Sequence, residues 1–231
     1  MTKRITPVKL KLMEECPRCF WLETVDSIKR PKDSFPSAPA GLRWQMARHF
    51  DRYRKREELP PELKELEERG FSLYREEELL KPWRTPSKGI QFTDEVSDVL
   101  ISASLDDVVL DIEGRMIPTK YRARGFPLKK PDSQIEHTQI YMDMYNYLLR
   151  ENGYPTDDYG FLLVFYPVNL SKGGNSMRLK SELVVVDSMP SRAMDLIERA
   201  KEIINLKNAP ASDPNCKYCQ YSLDRNSVLL S

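Results

Sequence analysis

The chain has 231 residues, enough for one sizeable domain or two small ones and for a real core. Lys and Arg number 36 against 35 Asp and Glu, so a global basic excess is excluded, although a local basic patch is not. Apolar residues make up 40% and charged residues 31%, a globular rather than a disordered composition, and no apolar run reaches the length of a membrane span.

Residues 1–7 lack the apolar core of a signal peptide, so a cytoplasmic location without membrane association is expected. Thr6-Pro7 predicts an N-cap followed by Pro at the first helical position. Val8, Leu12 and Met13 then form one apolar stripe leading into Cys16-Pro17-Arg18-Cys19. Residues 31–40 are rich in Pro and Ser and predict a loop. A second helix is expected from Leu42 to about Arg56, ending in the basic run Arg52, Arg54, Lys55 and Arg56. Pro60-Pro61 opens a charged surface helix that Gly70 stops.

The middle of the chain reads as short strands. Ile90-Gln91-Phe92, Val99-Leu100-Ile101, Val108-Val109-Leu110 and Met116-Ile117 are β-like runs, with Glu113-Gly114 as the turn between the last two. From Gln134 to about Asn152 the period becomes helical, with Ile135, Thr138, Tyr141, Tyr145 and Leu148 on one side. Residues 161–166 and 183–186 are apolar strands, joined through a Gly-containing hairpin loop at 171–176. A last helix starts at Ser191, and the chain closes on Cys216-Lys217-Tyr218-Cys219. This order predicts an α/β or α+β fold in a single domain over 1–231. It has a helical N-terminal segment (6–75), a sheet core (88–188) holding helix 134–152, and a C-terminal helix with a cysteine tail (190–221). No internal repeat, phosphate-binding glycine loop, dinucleotide fingerprint or serine elbow is present.

Four cysteines in a reducing compartment read as metal ligands rather than disulfides. Cys16 and Cys19 form one C-x-x-C and Cys216 and Cys219 another. Each spacing lets a tight turn aim two thiolates at one site. Two such turns fit structural zinc or an iron–sulfur cluster such as 4Fe-4S, and spacing does not choose between them. A metal here would tie the two ends of the chain together in a structural role. Two histidines, His49 and His137, are too few for a histidine-rich centre.

Residues 16–22, Leu105-Asp106-Asp107-Val108, the Leu148-Leu149-Arg150-Glu151-Asn152-Gly153 helix end and the final C-x-x-C carry a resemblance. Together they resemble the RecB-like branch of the PD-(D/E)XK nuclease superfamily, which includes CRISPR-associated adaptation exonucleases with a four-cysteine cluster. The resemblance runs from about Thr6 to Tyr221. It implies a mixed sheet flanked by helices, with an Asp on one strand and a D/E-x-K pair on the next holding Mg²⁺ or Mn²⁺ for hydrolysis. The first-strand Asp matches Asp106, and a helix Tyr matches Tyr145. The family's helix Gln aligns with Tyr141.

The departures shape the functional expectation. The family's second carboxylate position carries Lys120 and its catalytic Lys position carries Arg122. One acid beside two cations repels a divalent ion, and Arg122 stays charged and is a poor base. An ion pair of Asp106 with Lys120 or Arg122 is expected instead. On one strand Lys120, Arg122 and Arg124 face the same way, with Lys129 and Lys130 following. Such a stripe holds phosphates without cutting them, and Tyr141 and Tyr145 offer stacking faces.

The expectation is a catalytically degenerate nuclease-like protein that binds DNA or RNA, or serves as a subunit of a nucleic-acid-processing or defence complex. The first alternative is an active Mg²⁺- or Mn²⁺-dependent deoxyribonuclease that uses Asp106 and a migrated carboxylate such as Glu136 or Asp143. The second is a metal-stapled protein-interaction scaffold.

Overall fold

A computed structural model describes residues 3–31, 38–128, 133–170, 173–174 and 176–229. In chain order the first elements are β1 (Lys3–Ile5), α1 (Pro7–Glu15), α2 (Pro17–Thr24), α3 (Ala38–Arg54), a 3-10 segment (Pro61–Arg69), β2 (Ser72–Leu73) and α4 (Glu77–Arg84). Then come β3 (Ile90–Asp94), β4 (Val99–Ala103), β5 (Asp107–Leu110), β6 (Met116–Ala123), α5 (Ser133–Glu151), β7 (Tyr159–Leu170) and β8 (Met177–Asp187). The last two are α6 (Pro190–Ile204) and α7 (Lys217–Leu229). The fold is thus mixed α and β, as the element order implied.

The chain divides into two compact units. One comprises Met1–Ser34, Gln91–Ser102 and Arg192–Ser231. The other comprises Phe35–Ile90 and Ala103–Ser191. Within the described residues no helix is long and apolar enough to cross a membrane.

In the first unit, β1 runs parallel to β4, with Ile5 opposite Ile101. β4 is the middle of a three-stranded sheet whose other edge is β3. Helix α1 starts where the sequence places it. Thr6 Oγ1 accepts the Lys9 N–H at 3.3 Å, and Pro7 occupies the first turn, where its missing N–H costs nothing. Buried side chains include Ile5, Leu10, Met13, Phe20, Ile101, Ile197 and Ile204. Trp21 Nε1 donates to the Leu206 carbonyl at 3.2 Å, and Lys3 Nζ to the Ile204 carbonyl at 3.2 Å.

The second unit is built on a five-stranded mixed sheet in the order β2-β5-β6-β7-β8. β5 and β6 form an antiparallel hairpin. Its turn is held by Asp111 Oδ1, which accepts the N–H groups of Glu113 (2.9 Å) and Arg115 (2.8 Å), while Gly114 takes a left-handed φ of +77°. β7 is parallel to β6, a pairing that needs a long crossover, and α5 supplies it. β8 returns antiparallel to β7. Helix α5 lies so close to the sheet that a Cβ on Gly160 of β7 would stand 2.5 Å from Met142 Sδ and 2.8 Å from the Pro118 carbonyl oxygen. Glycine is therefore required there for space. The core packs Phe50 and Ala47 of α3 and Leu63 and Leu66 of the 3-10 segment against Ile117, Tyr121, Phe161, Leu163 and Phe165.

Candidate metal centre and basic pocket

Both C-x-x-C pairs sit at helix starts. Cys16 is the N-cap of α2, with Pro17 in the first turn, and Cys216 directly precedes α7. This placement puts the second cysteine of each pair in the first helical turn. All four Sγ atoms lie within 4.8 Å of one another: Cys16–Cys219 at 3.9 Å, Cys19–Cys216 at 3.7 Å and Cys19–Cys219 at 3.6 Å. None is in a disulfide, and Cys16, Cys19 and Cys216 are buried. Burial pushes the Cys216 thiol up, but the Cys219 N–H and neighbouring thiols outweigh it and bring Cys216 down to about 7. Burial pushes Cys19 and Cys219 up. Four convergent thiols are a donor set that fits a metal ion or cluster. Within the described residues this is the only group of three or more His, Cys, Asp or Glu placed to share a metal.

Arg30 borders the centre. Its Nη2 lies 3.5 Å from Cys216 Sγ, its Nη1 donates to Glu15 Oε2 at 2.7 Å, and its guanidinium lies over the Tyr218 ring at 4.6 Å. It therefore places a positive charge beside the thiols, where it would offset negative charge on thiolates holding a metal.

In the other unit Asp106 immediately precedes β5 and is buried. Both of its carboxylate oxygens are engaged: Oδ1 accepts from Arg43 Nε, and Oδ2 from the Tyr121 N–H at 2.9 Å. The expected ion pair of Asp106 with Lys120 or Arg122 is thus replaced by one with Arg43 of α3. Lys120 instead donates from Nζ to Tyr145 Oη at 3.2 Å and lies 4.0 Å from the Tyr141 ring centroid. Tyr145 is buried and donates to the Ser104 carbonyl at 2.9 Å. Burial lowers Lys120 to about 8, with Asp106 opposing and Arg43 and Arg122 adding to the drop. The charges acting there are therefore one carboxylate and two guanidiniums, with Lys120 itself as a third cation.

Arg122 donates from Nη1 to Thr138 Oγ1 at 3.4 Å, and Arg124 lies over Phe126 at 5.7 Å. Burial alternates from Thr119 to Arg122 of β6, with Thr119 and Tyr121 buried and Lys120 and Arg122 half-buried; Ala123 and Arg124, the latter just past the strand, are both half-buried. Lys129 and Lys130 lie outside the described residues. Of the two acids considered as migrated ligands, Glu136 is exposed, and Asp143 is buried and accepts the Met189 N–H at 2.7 Å. His49 pairs with Glu62 at 3.1 Å, and His137 is exposed.

Asp107 faces a different set of partners. Its fully buried carboxylate accepts from Arg54 Nη2, Arg84 Nη2 (2.7 Å), Tyr121 Oη (2.6 Å) and the Val108 N–H (2.9 Å). Asp51 bridges the same two arginines, and Arg84 Nε donates to the Asp106 carbonyl at 2.8 Å. Burial opposes ionisation of Asp107, but the Arg54 and Arg84 guanidiniums win and hold its carboxyl below the usual range.

The sequence reading missed Arg43, Arg54, Arg84, Asp51 and Arg30. A signal existed for two of them. Arg43 and Arg54 are in helical phase with the buried Ala47 and Phe50, and a cation inside an apolar stripe points to a buried partner. No family model matches the chain, and no curated protein matches it either.

Proposed function

We propose that this chain is a catalytically degenerate, RecB-like PD-(D/E)XK protein that binds nucleic acid, alone or as a subunit of a nucleic-acid-processing complex. The observation that carries this reading is the engagement of both Asp106 oxygens by Arg43 and the Tyr121 N–H, with Lys120 and Arg122 as the nearby cations. A carboxylate already paired with the Arg43 guanidinium, with Lys120 and Arg122 as further cations nearby, offers a divalent ion little net negative charge. The hairpin β5–β6, the α5 crossover and the parallel β7 suit the nuclease core that the sequence resembles. Asp106 stands directly before β5, and Lys120 lies on the neighbouring β6. Phosphate oxygens are the anions best matched to half-buried Arg122 and Arg124, with Lys120 behind them.

The four thiols would hold a structural metal that fastens α2 to α7. The sulfur spacing favours a single tetrahedral ion. Bonds of about 2.3 Å put tetrahedral sulfurs about 3.8 Å apart, whereas a four-iron cluster spreads its thiolates over four separate irons. Zinc is therefore the preferred occupant. Metal analysis showing one zinc per chain and no visible iron–sulfur absorption is the expected result, and a brown protein with acid-labile sulfide would overturn this assignment.

The binding claim is tested by gel shift of labelled single- and double-stranded DNA and RNA at low salt without divalent cations. Wild type should shift at least one of them, and Lys120→Glu/Arg122→Glu should lose that shift. Failure of wild type to shift any of them would favour the interaction-scaffold reading.

A further inference from the structure

We infer that a second single-strand binding site lies beside the thiol centre, in the groove lined by α2, the segment after it and α7. The groove has a volume of about 620 Å³. Its cations are Arg18, Lys29, Arg30 and Arg225, its apolar lining includes Leu22, Ile28 and Pro31, and no acid among the described residues lines it. Arg30 is committed to Glu15, Cys216 and Tyr218; Arg18 donates to the Pro210 carbonyl at 3.4 Å, and Arg18, Lys29 and Arg225 are all exposed. Tyr221 is 70% exposed and Leu223 64% exposed on the same wall.

Cations without acids select an anion, and an open aromatic face beside them selects one that carries flat rings. Single-stranded nucleic acid has both properties. Its phosphates would meet Arg18, Lys29 and Arg225, and one base would stack on Tyr221, a contact that tolerates any base. A duplex keeps its bases stacked on one another and has no face to offer. An acidic peptide would satisfy the cations but brings no obligatory flat ring to Tyr221. The site shares its ligand class with the proposed function but none of its residues, so either can fail alone.

The test uses metal-loaded full-length protein and a short fluorescein-labelled oligothymidylate, followed by anisotropy across a salt series. Arg18→Glu/Lys29→Glu/Arg225→Glu should weaken binding at least about tenfold, and the Gln equivalents should flatten the log–log salt slope by about 2, from about 0.7 per phosphate contact. Tyr221→Ala should weaken binding at least about fivefold at unchanged metal content. Absence of oligonucleotide binding by wild type, or wild-type affinity in the Gln variant, would overturn the inference. Wild-type affinity in Tyr221→Ala would reduce the groove to a polyanion surface and overturn it as well. Loss confined to Lys120→Glu/Arg122→Glu would overturn the groove and leave the β6 stripe as the binding site. Loss confined to the groove variants would support the groove and count against the stripe.

Discussion

Replacing Asp107 with Asn removes one negative charge from a fully buried site while keeping its shape. In wild type that carboxylate takes hydrogen bonds from Arg54, Arg84, Tyr121 and the Val108 N–H. The Asn amide keeps one acceptor oxygen and turns an NH₂ donor toward a guanidinium donor. Arg54 and Arg84, with side chains 2% and 9% exposed, are left to share the half-exposed Asp51. Breaking a buried ion pair from one side costs about 3–5 kcal/mol, a large share of the roughly 5–15 kcal/mol that stabilises a domain. Urea unfolding should show a lower midpoint at constant slope. In Arg84→Met the further loss on adding Asp107→Asn should be smaller, because the two residues share one interaction. The pH dependence has a definite sign. The folded carboxyl titrates below its ordinary 3.8, so its stabilisation is complete above that value and is lost as pH falls through the folded pKa. The wild-type advantage over Asp107→Asn should stay flat from about pH 5 to pH 8 and shrink only below about pH 4. A loss under about 1 kcal/mol, typical of an exposed pair, would refute the reasoning.

Lys120→Met should be more stable than wild type at pH 7 by up to about 3 kcal/mol, less whatever the Tyr141 contact contributes. Between pH 8 and 10.5 the unfolded chain binds more protons than the folded one, so wild-type stability rises there and the gap should close; a pH-independent gap would contradict the burial of Lys120. Gly160→Ala should cost about 1–3 kcal/mol, because the Pro118 carbonyl is backbone and cannot turn aside as Met142 can; a neutral result in thermal unfolding would show that β6 gives way around the added methyl. Chelation, or Cys216→Ser, should release the bound metal and lower the unfolding midpoint, and an unchanged midpoint after metal loss would deny the centre a structural role.

Local chemistry was readable from sequence. The Thr6-Pro7 cap, the β5–β6 turn and the period of α5 are decided by residues within a few positions of one another, and each stands near its expected place. The convergence of the cysteines was readable because two C-x-x-C pairs leave no thiol over. Elements that depend on a distant partner were not. β1 is three residues long and is a strand only because β4, nearly a hundred residues later, pairs with it. β2 has two residues and depends in the same way on β5. Arg54 read as one member of a basic run, yet it is buried while Arg52, Lys55 and Arg56 are exposed. Its partner Asp107 lies far along the chain, and no local pattern announces such a pair. The same holds for Arg43, which takes the carboxylate that sequence spacing assigned to Lys120 or Arg122.

The most direct test of the degenerate-site reading is a single gel. Labelled single- and double-stranded DNA is incubated with the protein and Mn²⁺, beside Asp106→Ala. Full-length DNA is expected in every lane, shifted to the same extent by both proteins. Cleavage by wild type that disappears in Asp106→Ala would contradict it, because Asp106 would then have to leave Arg43 and hold the metal.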